Sequence, residues 1–307
     1  MMKRFLLGAL VTLGIAVAAA PAQAVSVPGC FANEYLVFAK NNILFENQSV
    51  GSHTVLFGNI IVSSPTGKVK VGNNNEIHGT LIANEITLNT GAVVDKCIAN
   101  VLLGPGTCLD VTQVGPGQFT PPAACDFPPL QVPVVDPCVN TAPNITVTGT
   151  TSLPAGCFKK LTIAKNAVVT LDAGGTYNVQ SLAITGSAIL QGADPNNRSI
   201  INSQSIISTG TGSVTLRNLF ATTLNTSGSA FHIYNDSLVD NSILFAPLGM
   251  MHPHTGTAFS GDTELVADRF EIQRVTNTPP PPGDVPCICP VNTSQIPGTS
   301  NLICRPN

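Results

Sequence analysis

Leu161-Thr162-Ile163-Ala164-Lys165-Asn166-Ala167-Val168-Val169 and Leu182-Ala183-Ile184-Thr185-Gly186-Ser187-Ala188-Ile189-Leu190 place apolar residues at the same positions, 21 residues apart. Ile86-Thr87-Leu88-Asn89-Thr90-Gly91-Ala92-Val93-Val94 fits the same frame. Each unit alternates apolar and polar residues, turns on a small or polar pair, and alternates again. That is the pattern of two short strands joined at a corner. One such unit cannot bury its apolar face alone, but stacked units share a continuous core. The reading is therefore an all-β fold: a single-stranded parallel β-solenoid, or β-helix, with rungs of about 21 residues. An antiparallel sandwich also gives short, regularly spaced strands, yet it has no reason to repeat one in-register template three times. Looser copies run over 206–216, 224–233 and 243–272. Asn and Gly at the turns suit the left-handed backbone that corners require, and stacked Asn or Thr can form hydrogen-bonded ladders.

The composition agrees. Of 307 residues, 43% are hydrophobic and 10% charged, with 27 Gly and 24 Pro, which disfavours helical bundles and coiled coils. A net charge of −3 offers no basic face for phosphates, so nucleic acid is not an expected partner.

The first 24 residues read as a signal peptide: Lys3 and Arg4, an apolar run from Phe5 to Ala20, and Ala22-Gln23-Ala24 as the cleavage site. The apolar run is short for a membrane span, and no transmembrane segment is expected in the mature chain. The solenoid is expected over 25–276. Within it, residues 101–143 hold nine prolines and read as a long loop insertion, stapled by disulfides to itself and to flanking Cys97 or Cys157. Residues 277–307, opened by Pro279–Pro282, read as a spacer and a cysteine-containing tail. The apolar stretch Phe31–Phe45 is expected to cap the open end of the first rung. All nine cysteines follow the signal segment, and export makes disulfides their default use. The candidates are Cys97, Cys108, Cys125, Cys138, Cys157, Cys287, Cys289 and Cys304, and the odd total, with Cys30, leaves one thiol over.

Units such as Asn84–Val94, with Ala246-Pro247-Leu248-Gly249 and the following Gly261–Asp268, resemble those of bacterial exported parallel β-helix surface proteins. They are also similar to polymer-forming bactofilin-type repeats. The resemblance covers about residues 55–275 outside the Pro-rich insertion. It implies a shaft acting as a scaffold, matrix or adhesion element at the cell surface or in the medium, with partners that are further copies of the chain or envelope glycans. It carries no catalytic residues over.

Polysaccharide lyases and hydrolases also use β-helices, and glycoside hydrolysis needs gathered carboxylates. The best local cluster is Asp262, Glu264 and Asp268, beside Glu271, Arg269 and Arg274; Asp262 and Glu264 would share one face of a strand and offer an acid/base pair or a calcium site. His252 and His254 are the metal-ligand candidates, being two apart, but Pro253 between them favours a turn and no third ligand is evident. His53, His78 and His232 stand isolated. Thr146-Val147-Thr148 and Thr209-Gly210-Thr211 are candidate outer Thr arrays for glycan or ice. The expectation is a structural protein with no resident cofactor; a polysaccharide-active enzyme and a glycan- or ice-binding surface are the alternatives.

Overall fold

Alternation of apolar and polar residues gives each strand one face that must leave water, and here those faces turn inward together. In β12 (Thr176–Ile184), Tyr177, Val179, Leu182 and Ile184 are buried while the residues between them are partly exposed. The computed structural model describes residues 35–113 and 137–277 apart from residues 211 and 227, and no helix among them is long and apolar enough to cross a membrane. They form a 23-stranded sheet wound into a parallel β-solenoid. The predicted frame is the observed register: Leu161 lies opposite Leu182, Ile163 opposite Ile184, and Val168 opposite Ile189.

The corners are built as the turn residues require. Asn166 (φ 63°), Ser187 (φ 52°) and Gly91 (φ 73°) occupy the same position of the three aligned units, all in the left-handed region. The small residue after each one, Ala167, Ala188 or Ala92, is fully buried and lets the chain re-enter the core. Side-chain ladders run along the axis: Asn241 donates to Asn218 at 2.8 Å, and Asn202 to Asn178 at 3.2 Å. The rung length is less constant than the repeat suggests. The step is 21 residues at Ile60↔Leu81, 14 at Val93↔Thr107 and 26 at Ile43↔Val69. Strands hold register because every rung must feed the shared core, so length differences are taken up in the corners.

The order of stacking is the largest departure from the sequence reading. β1 (Tyr35–Phe45) is no cap. It is a rung in the middle of the shaft, paired in parallel with β3 (Asn59–Val62) and β4 (Lys68–Val71) on one side and with β22 (Glu264–Ile272) on the other. From β1 the chain winds outward through β3 and β4, β5 (Glu76–Leu88) and β6 (Val93–Leu103) to β7 (Thr107–Gln113). It resumes at the opposite end with β8 (Asn144–Val147) and β9 (Thr150–Leu153). It then winds back through β10 (Gly156–Ile163), β12, β14 (Ser199–Ser203), β17 (Leu219–Thr223) and β20 (Ile243–Pro253) to β22. The first and last rungs thus meet at a seam inside the stack.

One core runs through this seam. Ile43 faces Phe270 and Phe45 faces Ile272, all nearly or fully buried. Outside the shaft a second apolar row crosses it in register, Phe245–Val266–Phe38–Ile61–Ile82. Asn41 adds a hydrogen bond to Asp268 at 2.6 Å.

The stretch 101–143 is not loop throughout. The end of β6, β7 and a 3-10 turn at Pro137–Asn140 fall within it, β8 follows directly at Asn144, and Gly104 (φ 94°) makes an ordinary corner. Two disulfides hold the ends of the stack: Cys97–Cys108 ties β6 to β7, and Cys138–Cys157 ties the 3-10 turn to β10. Cys30, Cys125, Cys287, Cys289 and Cys304, the signal segment and the tail beyond residue 277 lie outside the described residues.

Candidate functional site

The solenoid turns sequence repeats into columns of neighbouring side chains, and one column gathers the histidines. β18 (Phe231–Ile233) pairs with the end of β20, setting His232 opposite His252 and Ile233 opposite Pro253. Pro253 is therefore strand rather than turn. It occupies an inward, buried position, which leaves His252 and His254 on the outer side. His254 is held at the first corner position by its own N–H, which donates to the carbonyl of Ile233 at 2.8 Å.

The three rings pack closely. Centroids lie 5.3 Å apart for His232 and His252, 4.5 Å for His232 and His254, and 4.0 Å for His252 and His254. Tyr234 stacks on His254 at 5.0 Å and nearly parallel. Nε2 of His232 and Nε2 of His254 face each other in direct contact. One potential ligand nitrogen from each histidine falls within a cluster 4.8 Å across, and His252 also groups in this way with Glu46 and Glu271.

A relay behind the cluster fixes its protons. Glu46 can only accept, so the Gln273 amide donates to it, Nε2 to Oε2 at 2.6 Å. That turns Gln273 Oε1 toward His254 Nδ1, 3.0 Å away, so Nδ1 carries the hydrogen and Nε2 presents a lone pair to the other rings. Nε2 of His252 is buried and has no hydrogen-bond partner. Burial, with the neighbouring His254 and His252, lowers the His232 pKa to about 4; His252 is lowered by burial and His254, against a raising influence from Glu46. Near neutral pH these two rings are uncharged. Neutral imidazoles with free lone pairs can accept protons or hold a transition metal.

The carboxylate candidates are placed differently. Glu264 is buried at the start of β22, where desolvation raises its pKa to about 7 against the opposing charge of Arg198, with Asp262 adding to the rise. Asp262 is exposed. Asp268 sits at the middle of the strand, accepting a hydrogen bond from Asn41 and lying 3.3 Å from Arg269. Among the described residues, neither cluster of three potential metal ligands includes any of the three. His53 and His78 flank Glu76 at 3.4 and 3.5 Å. Thr146 and Thr148 are exposed, but Thr209 is buried and accepts the Tyr234 N–H at 2.7 Å, so it does not stand on an outer array; Thr211 lies outside the described residues.

Sequence reasoning missed His232, Gln273 and Glu46. A signal for the first existed: Phe231-His232-Ile233-Tyr234-Asn235-Asp236 aligns with Met251-His252-Pro253-His254-Thr255-Gly256, and the left-handed Asp236 (φ 56°) matches Gly256 (φ 79°). Glu46 had no such signal, because it reaches the site only through the seam. No protein-family model matches the chain, and a comparison with curated proteins found no match.

Proposed function

We propose that this protein is an exported structural shaft, a scaffold, matrix or adhesion element that associates end to end. The observation that carries this reading is the state of the two ends. Among the described residues β7 has a partner on one side only, and its Leu109 and Val111 are 69% and 47% exposed. At the other end β8 and β9 likewise have one neighbour each, and most of their residues are exposed. Free parallel edges at both ends of a stiff stack are templates for adding another copy. A head-to-tail contact of this kind generates open filaments unless rotation closes it into a ring. The two disulfides and the leading apolar segment support an oxidising, extracytoplasmic setting. The likeness in repeat style to bacterial surface β-helices supports the same role.

The test is sedimentation and negative-stain electron microscopy of residues 25–307 over a wide concentration range. Rods or filaments that lengthen with concentration are expected, and Leu109→Lys with Val111→Lys should return them to single shafts. A monomer at every accessible concentration contradicts the proposal.

A further inference from the structure

We propose that His232, His252 and His254 bind one divalent transition-metal ion of the zinc class on the outer face of the shaft, and that the ion ties β18 to β20 beside the seam. The ligands come from two adjacent rungs, and the third rung supplies Glu271 of β22 and Gln273, which follows it, beside them. Glu46, which follows β1, completes the surroundings from across the seam. Zinc takes imidazole nitrogens at about 2.0–2.1 Å in a tetrahedron, which sets ligand nitrogens about 3.3 Å apart. One nitrogen of each ring already lies within 4.8 Å of the others.

Three independent features point to an ion. His254 Nε2 is aimed into the cluster as a lone pair by the Gln273–Glu46 relay, the second-sphere device that orients metal-bound histidines. His232 Nε2 touches that same atom, so in the free protein it must supply the hydrogen between them, and an ion takes the place of that hydrogen. His252 Nε2 is buried with nothing to bond. Glu46 and Glu271 can furnish the fourth ligand or balance charge. Imidazole donors suit zinc, nickel, copper or cobalt; calcium and magnesium require oxygen ligands, so this site differs from the calcium site expected at Asp262 and Glu264.

The experiment uses the exported chain stripped with a chelator and titrated with Zn2+ by calorimetry and with Co2+ by visible absorption. One ion per chain is expected, with a tetrahedral cobalt spectrum and a raised unfolding temperature for the loaded protein. His232→Gln and His254→Gln should each weaken binding at least tenfold, Gln273→Leu about 10–100-fold, and His53→Gln not at all. Because a variant can fail for want of folding, the unaltered protein is also treated with diethyl pyrocarbonate. Zn2+ should protect the peptides holding His232, His252 and His254 while leaving His53 and His78 reactive. Absence of binding, unprotected histidines, or full affinity in the His232→Gln/His254→Gln double variant, which would place the ion on cysteine thiolates, overturns the proposal.

Discussion

The ends of the shaft and the seam at its middle solve the same problem by different means. At each end a rung has no second neighbour among the described residues, and a disulfide lies there: Cys97–Cys108 beneath β7, and Cys138–Cys157 beside the 3-10 turn whose Val139 is fully buried. At the seam two rungs come from opposite ends of the described chain, and no disulfide among the described residues joins them. There the union rests on a full parallel ladder, the shared core of Ile43, Phe45, Phe270 and Ile272, the outer apolar row, and the hydrogen-bonded pairs Asn41–Asp268 and Gln273–Glu46. A covalent tie serves where burial is incomplete; where burial is complete, packing, strand pairing and side-chain hydrogen bonds close the stack. The polar cluster at the seam is also where stability can respond to protons or ions.

The comparison breaks most readily at the seam core. Phe45→Ala should destabilise the protein by about 3–5 kcal/mol, since the cavity it leaves is walled by rungs that cannot collapse without losing register. Hydrogen exchange should show β1 and β22 opening together while β10 and β12 stay protected.

Removing the end staple with Cys97→Ser and Cys108→Ser should cost about 3 kcal/mol by the loop-closure account. The exchange should now quicken in β6 and β7 and leave the seam unchanged. A loss of protection spread evenly over the shaft would erase the distinction between ends and seam.

Glu264 gives the seam strand a pH dependence. Its folded pKa of about 7 lies above the unfolded value of 4.5, so the folded state holds the proton more tightly. Its contribution is fully present below pH 4.5 and is lost as pH rises through 7. At pH 8 the penalty is at most about 3 kcal/mol. Glu264→Gln should therefore raise the unfolding temperature at pH 8 and have little effect at pH 4.5. His232 acts with the opposite sign: its folded pKa of about 4 is below the ordinary 6.5, so stability falls as pH drops from 6.5 toward 4.

The smallest effect is Asn41→Ala, which removes one hydrogen bond to Asp268 and should cost about 1 kcal/mol. Chemical denaturation resolves a change of that size.

What the sequence discloses follows the range of the forces involved. The rung, its register and its left-handed corners are local, set by alternation and by residues such as Asn166, Ser187 and Gly91, and they are legible before any coordinates. The seam is not. Asn41 and Asp268 are 227 residues apart, and nothing near Tyr35–Phe45 distinguishes a middle rung from a first one. The histidine site is half legible for the same reason. His232, His252 and His254 follow from aligning two rungs, but the Gln273–Glu46 relay spans the seam and appears only when the stack is closed.

The mid-shaft closure is tested most directly by pairing cysteines at Asn42 and Arg269, exposed residues opposite each other across β1 and β22. Mass spectrometry of the non-reduced digest of the Asn42→Cys/Arg269→Cys protein should find residues 42 and 269 joined within one chain, as neighbouring strands lie within disulfide reach of about 4.4–6.8 Å between Cα atoms. A shaft wound in simple sequence order would hold them at opposite ends. Failure of this bond to form in folded monomer would contradict the closed stack.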